Sequence, residues 1–151
     1  MIISKTPFRI SFFGGGTDYP VWISEHGGDV LGTTIDKYAY ITCRYFPPFF
    51  KHKYRIVYAQ MENVKSIDDI DHPSIRECIR FSNLKSVLEI HHDSDLPARS
   101  GLGSSSTFTV GLLNCLNSLK REYSSNEKLA KDAIHVEQHL IGENVGCQDQ
   151  I

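Results

Sequence analysis

At 151 residues with 40% apolar content, the chain suits one domain with a substantial core. A net charge of −2 and a pI near 6.4 give no basic footprint for nucleic acid, and the charges are mixed along the chain rather than blocked into a tail. Cys43, Cys78, Cys115 and Cys147 are scattered with no C-x-x-C pair, which predicts reduced thiols and neither a disulfide framework nor a zinc site.

No signal peptide and no apolar run of spanning length is visible, so the expectation is a cytoplasmic protein that engages no membrane. Gly146–Ile151 lacks the closing helix, strand or polar tail of a natural terminus, so a fragment is expected.

In chain order, Ile2–Lys5 and Phe8–Phe13 read as strands flanking Pro7, with Phe8, Ile10 and Phe12 alternating onto one face. Gly14-Gly-Gly-Thr-Asp18 then presents Thr17 and Asp18 at a strand's end, either as a flexible hairpin or as a site for polar hydroxyls. A short helical piece, Val21–His26, stops at Gly27-Gly28. Strands are expected over Asp29–Ile35, Lys37–Phe46 and Tyr54–Ala59, and their many aromatics suit strands before any base-stacking role. The acidic stretch Ser66–Pro73 reads as a solvated loop capping a helix over Ser74–Asn83. Ser86–His92 returns as a strand in which His91 and His92 point to opposite faces and cannot share a metal.

The chain's centre is Leu96-Pro-Ala-Arg-Ser-Gly-Leu-Gly-Ser-Ser-Ser106, which opens into a helix to about Lys120 with Phe108, Leu112, Cys115, Leu116 and Leu119 on one face. Gly101 and Gly103 permit a tight turn and close approach, and the serines fall where a helix leaves amides unpaired at its positive end. That is either a plain helix cap or an anion site. It is neither a Walker A sequence nor a G-x-G-x-x-G fingerprint.

Asn126 is expected to cap a last helix over Glu127–Ile141. At 100° per residue, Glu137 is the one charge amid the apolar face of Leu129, Ala130, Ala133, Val136 and Leu140. A carboxylate there needs a salt bridge or a metal. His135 and His139 lie across the helix from it, so no zinc-hydrolase arrangement forms. Gly142 ends the helix, and Gly146–Asp149 forms a second loop.

Three segments together resemble the GHMP kinases: Pro7–Pro20, Leu96–Ser106, and Glu137 followed by Gly146-Cys-Gln-Asp-Gln150. The resemblance implies an α+β N-terminal domain, a mixed sheet backed by helices, with the C-terminal domain missing. It implies ATP and Mg2+ as cofactors. Arg99, Ser100, Gly101, Leu102, Gly103, Ser104, Ser105 and Ser106 would cradle the phosphates, and Ser105 with Glu137 would hold magnesium. Asp149 would take a proton from the acceptor hydroxyl and Arg9 would stabilise the transferred phosphoryl. Gly16, Thr17 and Asp18 would contact the sugar. Within the family the motifs look like the sugar 1-kinase branch, with a heptose 7-phosphate as the expected acceptor. Another sugar such as fucose or galactose, or a non-catalytic nucleotide or sugar sensor, is the alternative. Arg44, Lys51, Lys53 and Arg55 are candidates for gripping an acceptor phosphate. Family members are about twice this long, so the 151 residues alone are expected to be inactive and to leave an apolar surface bare.

Overall fold

The computed structural model describes residues 1–98 and 100–151; Arg99, among the expected phosphate ligands, lies outside the described residues. Five strands form one sheet in the order β1-β2-β5-β3-β4, with β1 at Ile2–Phe13, β2 at Leu31–Tyr45, β3 at Tyr54–Val57, β4 at Met61–Val64 and β5 at Leu88–Ser94. Among the described residues only β3 and β5 run parallel. Helices α1 (Pro20–His26), α2 (Pro73–Ser82), α3 (Ser104–Leu119) and α4 (Asn126–His135) follow the chain, and α4 runs into a wide π-type turn at Val136–Ile141. The expected mixed sheet backed by helices is the architecture found.

The sheet's inner face supplies Ile41, Cys43, Ile56, Leu88 and Ile90, which pack against Ile75, Cys78, Ile79, Leu112 and Leu116 from α2 and α3. Cys43, Cys78 and Cys115 are buried free thiols. No helix among the described residues is long and apolar enough to cross a membrane.

Several sequence expectations change. The two strands around Pro7 are one, because Pro7 stays paired opposite Tyr38 in a strand at the sheet's edge, where a missing amide is tolerated. The two strands expected on either side of Asp36 are likewise one. The register jumps from Pro7–Tyr38 to Arg9–Thr34, so the apparent break is a bulge in β2. Strand β4 was not expected at all. Its four residues Met-Glu-Asn-Val are too short and too polar to show a period. Ser125, not Asn126, caps α4, its side chain accepting from the Lys128 amide at 3.2 Å.

At the end of the sheet where β1 meets β2, Phe12, Phe13, Val21, Trp22 and Leu31 are exposed, and α1 buries none of its residues.

Candidate functional site

Helix α3 starts at Gly103, which adopts a left-handed φ of 75° with no side-chain cap on the turn that follows. The loop before it is held by Arg9 of β1. The Arg9 amide donates to the Leu102 carbonyl at 3.3 Å, and its guanidinium donates to the Gly101 carbonyl at 3.1 Å. The stem of Arg9 lies against Gly103, where a Cβ would stand 3.4 Å from its Cγ. The same guanidinium grips Asp149: Nε donates to Oδ1 at 2.6 Å, and the second contact of the ion pair reaches Oδ1 as well. The pair is partly exposed, and no hydrogen bond among the described residues falls on Oδ2. One arginine therefore ties the glycine-rich loop to the loop that bears Asp149.

The Asp149 loop has a second anchor in Asp18. Asp18 is 4% exposed and accepts from the Gly16 amide at 3.1 Å and the Gln148 amide at 2.9 Å. Gly146 passes so close that a Cβ would fall 1.9 Å from Asp18 Oδ2, so only glycine fits. Ser11 donates to the Gln148 side chain at 2.9 Å. Asp18 was expected to meet sugar hydroxyls; here its carboxylate faces backbone amides. Thr17 donates to the carbonyls of Gly14 at 2.8 Å and Asp29 at 3.2 Å, and Gly16 turns with a φ of 99° beside it.

Glu137 sits at the start of the wide turn and is fully buried. The amides of Gly142 and Glu143 both close onto its carbonyl, the latter at 2.9 Å, which fixes the turn that aims its side chain. Among the described residues no lysine or arginine pairs with it. The Ser106 hydroxyl donates to Oε2 at 2.9 Å, and the Gln150 side-chain amide donates to the same oxygen and to Ser106 Oγ at 3.0 Å. Oε1 is buried with no hydrogen-bond partner, and so is Gln150 Oε1. The nearby Thr109 hydroxyl spends its proton on the Ser105 carbonyl at 3.2 Å. Burial pushes the Glu137 carboxyl up, against the hydrogen bonds from Gln150 and Ser106.

The cluster gathers Ser106, Glu137 and Gln150, and Gln150 is the chain neighbour of Asp149. Ser105, expected beside Glu137, is exposed; the hydroxyl on the carboxylate is that of Ser106, one residue on. Gln150 was missed as a site residue, although its place in the Gly146–Gln150 segment was a signal available in the sequence.

An unpartnered buried carboxylate oxygen fits a cation. Among the described residues no group of three or more His, Cys, Asp or Glu could form a complete metal cage. Magnesium does not ask for one, since it keeps waters and is commonly held by one or two carboxylates plus substrate phosphates.

Two cavities flank this framework. The larger, about 580 Å³, opens beside Ser104 and Ser105 and is lined by Phe8, Tyr58, His72, His92 and Phe108. His72 and His92 lie 5.2 and 4.8 Å from Phe108 between ring centres, and burial first of all lowers both imidazoles. The smaller, about 250 Å³, lies over Arg9, Thr34, Gln148 and Asp149. Arg44 and Arg55 line neither of these two and pair with Glu89. Arg44 is ten residues along β2 from Thr34, roughly 33 Å at strand rise. At that separation Arg44 cannot grip an acceptor lying over Asp149.

Residues 74–151, slightly more than half the chain, match the family described as GHMP kinases N terminal domain. The D-glycero-alpha-D-manno-heptose 7-phosphate kinase of Campylobacter jejuni is 28% identical over 99% of this chain and 47% of its own length. The galactokinase of Pyrococcus furiosus is 29% identical over 99% of this chain and 42% of its own. Among solved structures, a D-glycero-D-manno-heptose 1-phosphate kinase from Bacteriodes thetaiotaomicron superposes with a TM-score of 0.87 at 26% identity, covering 99% of this chain and 52% of that one. The chain thus spans about half the length of the relatives it matches.

Proposed function

From the premise that this chain belongs to the GHMP kinase N-terminal domain family, we propose that it is the nucleotide-side domain of an ATP-dependent sugar kinase. The reaction is transfer of a phosphoryl group to the anomeric hydroxyl of a sugar, with a heptose 7-phosphate as acceptor. The heptose kinase relatives favour this acceptor, and the galactokinase relative keeps a second sugar in view. The observation that carries the proposal is the buried Glu137 carboxylate, one oxygen unpartnered and the other bonded to a hydroxyl in the first turn of α3.

The phosphates of ATP are assigned to the first turn of α3 and the glycine-rich loop, where amides and the helix dipole favour an anion. The aromatic-lined cavity beside Ser104 and Ser105 is assigned to the nucleoside. Glu137 Oε1 is the protein's ligand for magnesium, which when bound would neutralise charge on the phosphates. Ser105, exposed at the loop's mouth, is placed to add a hydroxyl there.

Asp149 Oδ2, which Arg9 leaves open, accepts the proton of the acceptor hydroxyl in the smaller cavity. Arg9 orients that carboxylate and holds positive charge between it and the glycine-rich loop. Asp18 keeps the Asp149 loop at its distance, and Thr17 and Gly16 border the same loop system. Arg44 and Arg55 are engaged with Glu89, so neither is assigned to an acceptor phosphate. The bare apolar surface around Phe13, Val21 and Leu31 is consistent with a second domain of the size its relatives carry.

The test is a panel of sugars and sugar phosphates assayed for ADP release by the complete two-domain kinase, with Asp149→Asn beside it. The variant should lose turnover by orders of magnitude while binding ATP as before. A sensor would show no change, and sugar-dependent ADP release by residues 1–151 alone would overturn the domain assignment.

A further inference from the structure

The wide turn that buries Glu137 also has an outer side, which carries two histidines. His135 closes α4 and His139 lies within the turn; both are exposed, while Glu137 between them is sealed inside. Four residues apart, they share one face. Their ring centres are 5.2 Å apart with the planes tilted by 48°.

That separation suits a shared ion. An imidazole nitrogen sits about 2.0–2.1 Å from zinc, so two rings meeting one ion at about 90–109° bring their centres to roughly 4.5–5.2 Å. Phe81 borders His135 at 5.7 Å between ring centres and restricts that ring on one side. Asp132, one turn earlier, is committed to Lys128 and does not compete for the rings.

We infer that His135 and His139 form a two-nitrogen site for a divalent transition-metal cation, with water filling its remaining positions. Imidazole selects copper, nickel and zinc and leaves magnesium to oxygen ligands, so this site is chemically separate from the one at Glu137. An ion held across residues 135 and 139 ties the end of α4 to the middle of the turn that mounts the buried carboxylate. The site does not depend on the kinase reading and stands if that reading fails.

The experiment is calorimetric titration of the 151-residue chain with nickel(II), repeated on His135→Ala, His139→Ala and Cys147→Ser. The expected result is one saturable site whose affinity falls at least tenfold in each histidine variant and is unchanged in Cys147→Ser. Zinc(II) should slow amide exchange across Val136–Ile141 in the parent chain and not in the double histidine variant. Equal nickel affinity in parent and double variant would overturn the site, as would its loss in Cys147→Ser. Unchanged exchange with bound zinc would overturn the link to the turn.

Discussion

Glu89 and Glu137 are both sealed from water, at 3% and 0% exposure, yet they are furnished in opposite ways. Glu89 sits on the sheet's open face and is saturated with partners: Arg44 on Oε2, Arg55 and His91 on Oε1. Burial works against its ionisation, but hydrogen bonds from His91 and Arg44 and their charges outweigh that and hold its carboxyl below the usual range. Glu137 has only neutral donors on one oxygen and nothing on the other. A carboxylate completed by its own protein is a structural member. One left a cation short is where a cation from outside belongs.

The comparison can be broken most forcefully at Glu89. Removing one partner of a buried ion network leaves the others uncompensated, though Arg44 is half exposed and water screens part of the loss. Glu89→Ala should therefore destabilise the chain by about 2–3 kcal/mol in urea unfolding. Glu137→Gln should do the reverse in the free chain, leaving it as stable or more so, while cutting the magnesium-dependent gain in ATP affinity by about tenfold or more, about 1.4 kcal/mol, in a titration with and without magnesium. A free chain weakened by Glu137→Gln would erase the contrast.

Acid sharpens the same contrast. Glu89's contribution is in place above its ordinary value of 4.5 and is lost as pH falls through its lowered one. Glu137's is in place below the ordinary value and is lost as pH rises through its raised one. Unfolding curves against pH should lose an acid-side slope in Glu89→Gln and a slope toward neutrality in Glu137→Gln. The smallest effect belongs to Ser106→Ala, which takes one donor from Glu137 and should cost about 1 kcal/mol in the same unfolding measurement.

What the sequence made legible follows from how local each signal is. The glycine-rich loop, the α3 stripe from Phe108 to Leu119 and the lone charge at Glu137 are periodic or local features, and each stands where the pattern put it. Among the described residues the salt bridge weighed for Glu137 does not form, because its partners come from Ser106 and Gln150, which are distant or irregular in the chain. The wide turn at Val136–Ile141 is invisible to a constant 100° step, since it places residues by a different period while keeping Glu137 inside. Asp18's burial depends on Gly146 and Gln148 arriving from 130 residues away, which no local reading contains. The bulge at Asp36 and the strand β4 were lost for the same reason: pairing register is decided between strands, not along one.

Pro7 has a consequence for how this molecule behaves in a crowd. A twelve-residue outer strand is a ready template for another chain to add itself to the sheet. Proline offers no amide there, its carbonyl accepts from the Thr107 hydroxyl at 3.4 Å, and the register breaks on either side of Phe8 and again before Phe13. The opposite border, β4, is too short to recruit anything. The sheet thus ends in two poor splints, and replacing Pro7 by valine would remove the better guard against fibrous self-association.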